Sequence, residues 1–414
     1  MNDAAFDLSQ HFTPGLPAPA PRFTGLPKYH FVGGNNDPVQ IPCEGLAEAA
    51  AAVLKREGSK LAMYHLAQGP QGYEGLRSFV ASKLLRRGIT CGMEDVIITS
   101  GSNQGIDMVV SLLAKAGDTV MMEEFTYGGA LSRFRKLGFN VVGAKLDEHG
   151  LVMDALEAQL AGMAAQGRLP RFIYTIPTIQ NPTGSVLPLE RRHRLIALAK
   201  RFGVPIFEDE CYTDLTWVIE APPALYALDP SCVIHIGSFS KSLAPALRLG
   251  YITASWPVLA QLLPLKGDAG TGAVDQMVVA EYFSKHFDAH LTHLNKVLAG
   301  KLAAMQEAIA AEFGTAAETW TPLGGIFLWF RLPDAVDVRR LIKPAADAGI
   351  AFNPGPEWAV NGEAAKSHLR LCFAMPSIEV IRDGVAALAR VCREQTGIPA
   401  ISRNVQHGTT PTEA

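Results

Sequence analysis

Between residues 95 and 255, short runs of β-branched and apolar residues alternate with stretches of helical period, and this constrains the fold more than any other feature. "DVIITSGS" (95–102) leads into a segment with Ile106, Val109, Val110 and Leu113 at i, i+3, i+4 and i+7, and Gly117 is its expected stop. "DTVMMEE" (118–124) and "NVVGAKL" (140–146) flank a further helical stretch. "RFIYTIP" (171–177) precedes a loop and a helix expected over Leu189–Phe202, which Gly203 ends before "VPIFEDE" (204–210). "CVIHIGSFS" (232–240) and "RLGYITAS" (248–255) close the series. Strands and helices alternating at this length predict an α/β domain with a mostly parallel sheet, whose ligand sits beyond the carboxyl ends of the strands.

From about residue 276 the period changes. A long helical pattern is followed by short strands such as "GGIFLWFRLP" and "HLRLCFAMP", which predicts a second, smaller α+β domain. The expected division is a proline-rich arm (1–45) completing the small domain, a large domain (46–285), the small domain (286–397) and a loose tail (398–414). A chain of 414 residues, 48% hydrophobic, has ample material for two cores and is too apolar for disorder. The net charge of −3 and the absence of a basic block argue against a nucleic-acid partner. No run approaches the roughly 20 apolar residues of a membrane span. The six cysteines show no CxxC pair or metal-ligand spacing, and "MNDAAFDLSQ" lacks the features of a signal peptide. A cytoplasmic protein with reduced thiols and no metal is the expectation.

Four strand ends carry the residues of chemical interest. "TSGSNQGID" joins a strand to a helix, so Ser102 and Asn103 sit either as ordinary caps or at an anion site with free N–H groups. Asn181 in "QNPTG" ends a central strand in what is by itself only a turn. "FEDECY" sends three acids toward the crevice, with Asp209 and Tyr212 three apart; a capping acid and a packed tyrosine is the plainer reading. "IHIGSFSKSLAPALRLGY" places Lys241 at the end of a buried run. There it either snorkels outward or has its pKa lowered by desolvation and a nearby cation, as a Schiff-base amine requires. Ser238 and Arg248 beside it suit a phosphate.

Taken together, an anion cradle, an Asn, a buried Asp, a Tyr and a reactive Lys are the parts a pyridoxal phosphate site needs. In the order and spacing of these motifs, the chain resembles the class I/II aminotransferases of the fold type I pyridoxal phosphate enzymes, from about residue 31 to 390, nearest the branch with aromatic and 2-aminoadipate aminotransferases. The resemblance implies a mostly parallel seven-stranded sheet in the large domain and a homodimer with shared active sites. Lys241 then matches the Schiff-base lysine that shuttles the proton between substrate Cα and cofactor C4′. Asp209 matches the partner of the pyridine nitrogen, Asn181 and Tyr212 the pair on the phenolic oxygen, and Ser102, Asn103, Ser238 and Arg248 the phosphate ligands. Tyr127 matches the stacking aromatic, in a stretch where Phe125 replaces the usual Pro. Arg370 in "HLRLCFA" matches the α-carboxylate clamp, and Tyr64 the tyrosine that reaches the partner's phosphate. The backbone near Gly34 matches a substrate-pocket wall. Here it is followed by Asn35 and Asn36, whose amides either meet a polar substrate group or make a turn. Ala246 stands where Gly is usual.

The expected reaction is ping-pong transfer of the α-amino group of an L-amino acid (aromatic, long aliphatic or 2-aminoadipate-like) to a 2-oxo acid such as 2-oxoglutarate. The alternative is a non-transaminating reaction on the same cofactor: β/γ-elimination, replacement, cyclisation or oxidation. A sensor domain of a transcription regulator is the third reading, disfavoured because a proline-rich, non-basic arm stands where a winged helix would. Phe31, Tyr127, Phe352 and Trp358 are candidates for the pocket wall, and Arg22 for a distal carboxylate.

Overall fold

A computed structural model describes residues 6–16, 19–20 and 22–400. The tail beyond residue 400 lies outside the described residues. Seven strands form the central sheet: β1 (Val96–Thr99), β2 (Thr119–Glu123), β3 (Asn140–Ala144), β4 (Ile173–Thr175), β5 (Ile206–Asp209), β6 (Val233–Ser238) and β7 (Gly250–Thr253). Their spatial order is β1-β7-β6-β5-β4-β2-β3. β7 is antiparallel to both neighbours, and every other pairing is parallel. That one reversal matters for the site. The carboxyl ends of the other six strands lie along one edge, and the reversed β7 brings its amino end, with Arg248, to the same edge.

Both faces of the sheet are covered, as a parallel sheet requires. Ile97, Val120 and Met122 point into one core, while Val96, Ile98 and Met121, one residue out of phase, point into the other. The covering helices include α1 (Cys43–Glu57), α2 (Ser102–Leu113), α3 (Gly128–Lys136) and α4 (Leu189–Phe202). α4 has the expected limits, ended by Gly203 in the left-handed region at φ +66°. α2 stops at Leu113, four residues before the expected glycine: Ala114 is already extended, and Gly117 sits in the following turn.

The long helical period forms α5 (Ala273–Phe313), an unbroken helix of 41 residues that runs through the expected boundary at 285/286. Beyond it, β8 (Glu318–Thr319), β9 (Phe327–Arg331), β10 (Asn353–Pro354) and β11 (His368–Cys372) form an antiparallel sheet in the order β8-β9-β11-β10. α6 (Ile378–Thr396) packs along α5. The N-terminal segment joins this unit: Tyr29–His30 pairs in parallel with Ile350–Ala351, and Cys372 N donates to Phe31 O at 2.8 Å. Among the described residues no helix is long and apolar enough to cross a membrane.

Candidate active site

The strand ends converge on a cavity of about 280 Å³. It is lined by Gly34, Ser102, Asn103, Tyr127, Asn181, Asp209, Tyr212, Ser238, Lys241, Arg248 and Arg370, all singled out from the sequence. Lys241 follows β6 in a tight turn, and its Nζ donates to Gly34 O at 2.8 Å. A Cβ on Gly34 would meet that amine, so a larger residue there would have to displace the end of the Lys241 side chain. Burial lowers the Lys241 pKa, and the cations of Arg370 and Arg248 push the same way. Such an amine is neutral more often than an exposed lysine, which makes it a better nucleophile and base. Asn36 donates to Leu243 O at 2.9 Å and so ties the lysine turn to the N-terminal loop.

At one end of the cavity, Gly101 is the N-cap of α2, with no side-chain cap, so Ser102 and Asn103 fall inside the first turn. The free N–H groups there are not used by the helix itself. Ser238 and Ser240 come from the end of β6, where Ser240 N donates to Ser238 Oγ at 3.1 Å. A Cβ on Gly250 would lie 2.6 Å from Ser102 N, and one on Gly101 would collide with the Arg248 guanidinium. Hydroxyls, a guanidinium and a helix N-terminus around one small space suit a phosphate.

The middle of the cavity is aromatic and acidic. Asp209 is buried; its Oδ2 accepts from Tyr174 OH at 2.7 Å, and its Oδ1 has no partner. Burial raises the Asp209 pKa, while the neighbouring Cys211 and the hydrogen bond from Tyr174 pull it back. A buried carboxylate oxygen without a donor is unfavourable until a cationic N–H reaches it. Asn181 Nδ2 donates to Tyr212 OH at 3.2 Å, leaving the phenol proton free to donate in turn.

Arg370, from β11, closes the other end. Its guanidinium lies between the rings of Phe327 and Trp358, 3.6 and 3.5 Å from their centroids. Nη1 donates to Asn181 Oδ1 at 3.0 Å, and Nη2 donates to Asn353 Oδ1 at 2.6 Å and Gly33 O at 3.2 Å. Nε has no partner. Burial lowers its pKa to about 10, so it still carries its charge at neutral pH. A buried cation with a spare donor is prepared for an anion.

Several expectations meet a different geometry. Asn35 does not line the cavity; its Nδ2 faces His30 Nε2 at 3.4 Å. Tyr64 is 82% exposed and borders a separate surface hollow with Tyr73 and Gly270. Phe31 and Phe352 belong to the core rather than the cavity wall, and Arg22 is exposed. Of the three acids in "FEDECY", only Asp209 reaches the cavity. Glu208 accepts from the Leu225 and Tyr226 amides and faces His235, and Glu210 faces Arg87 and Thr178. Side chains alternate along a strand, so Glu208 and Glu210 lie on the opposite side from Asp209. The sequence reading missed Ser240, Cys211, Phe327 and Asn353. The first two adjoin recognised residues, and Phe327 and Asn353 face Arg370 from paired strands, a relation visible only once the register is known.

The arrangement fits the cofactor implied by the resemblance: a phosphate cradle, a lone carboxylate oxygen for the pyridine nitrogen and an amine for the aldehyde lie in one cavity. A model of the family described as "Aminotransferase class I and II" matches residues 34–388. The 2-aminoadipate transaminase of Thermus thermophilus is 34% identical, covering 88% of this chain and 89% of that one. Aromatic-amino-acid aminotransferase 1 of Thermococcus litoralis is 31% identical, covering 88% and 87%. The crystal structure of LysN, the α-aminoadipate aminotransferase of Thermus thermophilus, complexed with N-(5′-phosphopyridoxyl)-L-leucine, has a TM-score of 0.81 at 33% identity, covering 89% of this chain and 93% of that one.

Proposed function

The chain belongs to the class I and II aminotransferase family, and from that premise we propose how its own residues divide the work and which substrates they take. It is a pyridoxal 5′-phosphate-dependent transferase acting on an amino acid and a 2-oxo acid. When bound, the cofactor supplies an electrophilic carbon and an electron-withdrawing ring. Ser102, Asn103, Ser238 and Arg248 hold its phosphate, with Ser240 added from the cavity wall. Asp209 Oδ1 accepts the pyridine N–H, Tyr212 and Asn181 donate to the phenolic oxygen, and Tyr127 packs on the ring.

Arg370 takes the substrate α-carboxylate. Its guanidinium is held flat by Phe327 and Trp358 and in plane by Asn181 and Asn353, so the carboxylate meets a fixed partner and its placement orients the Cα–H. Lys241 Nζ would take that proton from Cα and hold it for return to the cofactor's C4′, on the far side of the substrate nitrogen. Tyr127 and Trp358 make an aromatic wall that suits an aromatic, long aliphatic or 2-aminoadipate-like side chain. Gly34 forms the wall beside Lys241; Asn35 drops out of the substrate set. Residues 46–285 hold the cofactor, and 286–397 with the N-terminal arm carry Arg370. Tyr64 reaches the phosphate of a second copy in a homodimer.

One observation carries this reading. A desolvated amine, a carboxylate oxygen without a donor and a guanidinium nitrogen without an acceptor face the same small cavity. The test is a screen of L-amino acids against 2-oxoglutarate, followed by glutamate formation. Aromatic, long aliphatic or 2-aminoadipate-like donors should turn over, and Lys241→Ala should lower kcat by at least about 10³-fold. Repeated turnover with ammonia release and no oxo acid present would overturn it.

A further inference from the structure

Asp209 is held by a neighbour that the sequence motifs do not include. Tyr174 lies on β4, in register with Phe207 on β5. Asp209 is two residues beyond Phe207 and points to the same face of the sheet. Asp209 therefore lies diagonally across the parallel pair from Tyr174, a gap that a long side chain can span. Tyr174 OH closes the gap with a 2.7 Å hydrogen bond to Asp209 Oδ2. Its ring is fully buried and wedged edge-on against Phe134 and Phe207, at 5.8 and 5.4 Å between centroids, so the hydroxyl has little freedom to turn away.

We propose that Tyr174 is a positioning residue for the cofactor's pyridine nitrogen: by occupying Oδ2, it presents Asp209 Oδ1 alone to the cavity. The inference rests on the cofactor reading above. Three features support it. Oδ1 is the one carboxylate oxygen of Asp209 left without a partner. Burial and the adjacent carboxylate raise the Tyr174 pKa well above its usual value, so the phenol stays a donor wherever the enzyme works. A donated hydrogen bond favours the ionised carboxylate and opposes the effect of burial on Asp209. Without the phenol, a buried carboxylate oxygen is left bare. Asp209 then either holds a proton of its own or turns Oδ2 toward the cavity, and each response weakens its grip on a pyridine N–H.

The full-length apoenzyme is titrated with pyridoxal 5′-phosphate, following intrinsic fluorescence, as wild type, Tyr174→Phe, Asp209→Asn and the double variant. Tyr174→Phe keeps the ring and loses one charge-assisted hydrogen bond, so the dissociation constant should rise about 10–100-fold. In the Asp209→Asn background the same change should have little further effect, because the hydroxyl acts through the carboxylate. Tyr174→Phe should also move the pH dependence of the bound cofactor's absorbance, which a loss of packing alone does not do. An unchanged dissociation constant and pH profile, or an equal loss in both backgrounds, overturns the inference while leaving the cofactor reading intact. A wild-type chain that does not bind the cofactor overturns both. If Tyr174→Phe alone does not fold, folding of the double variant supports the bare-carboxylate explanation. Failure of both assigns Tyr174 to packing and overturns the proposal.

Discussion

At the scale of the residue, most of the site's chemistry lies in side chains whose polar partners are incomplete. Arg370 shows this best. Lysine in its place keeps a positive charge but loses the planar fork, the two stacked faces and the bonds to both asparagines. Arg370→Lys should therefore lower kcat/KM for the amino acid by about 100-fold or more, chiefly through KM, while leaving cofactor affinity near wild type. Steady-state kinetics beside a cofactor titration checks both halves. Lys241, Asp209 and Asn181 were legible as polar groups at the ends of buried strands, and Arg248, which is exposed, as a cation seven residues beyond Lys241 that suits a phosphate. The fates of Glu208 and Glu210 follow from the sequence too, since strand alternation keeps three successive acids from sharing one face. Asn353 was not legible: nothing local marks it, and its role follows from pairing opposite Arg370.

At the scale of the element, the site depends on how closely strand and helix ends approach. Gly101 has φ +77° and ψ 167°, a region almost reserved for glycine, and it adjoins Arg248. Gly101→Ala should destabilise the apoenzyme by about 1–3 kcal/mol and weaken cofactor binding by displacing the guanidinium, measured by urea unfolding and by titration. The loop after β4 depends on Glu123 at the end of β2. Its carboxylate accepts from Thr175 OH, Ile176 N and Gln180 Nε2, and Gln180 adjoins Asn181. Burial, opposed by these bonds, raises the Glu123 pKa from 4.5 to about 7. The folded state thus binds this proton more tightly than the unfolded chain. The resulting stability is fully present below about pH 4.5 and is lost as the pH rises to about 7, a change of about 3 kcal/mol. Comparing urea unfolding of wild type and Glu123→Gln across that range isolates the effect, because the variant lacks the titrating group. The sequence predicted the limits of α4 and the strand series well, since period and glycine stops are local signals. It could not predict which strand was reversed, because antiparallel β7 is as apolar as its neighbours.

At the scale of the whole molecule, the expected boundary at 285/286 falls within α5, because a continuous helix gives no break in period there. A second whole-molecule feature is the apolar surface. Leu61, Met63 and Tyr64 are exposed beside a hollow bordered by Gly270 and Thr271, and Leu265 and Val274 are exposed nearby in the chain. Large apolar side chains gathered in this way suit a protein partner, and a second copy is the partner the family reading supplies. Light scattering should then give twice the 44.5 kDa chain mass. The sharper test asks whether Tyr64 serves the other subunit. Tyr64→Ala and Arg370→Ala should each be strongly impaired as homodimers. After unfolding together and refolding, half the dimers are mixed. In a two-fold dimer with Tyr64 donated across the interface, one site of each mixed dimer has both residues intact, so activity should recover to about a quarter of wild type. If Tyr64 serves its own chain, each site in every dimer keeps one defect and mixing restores nothing.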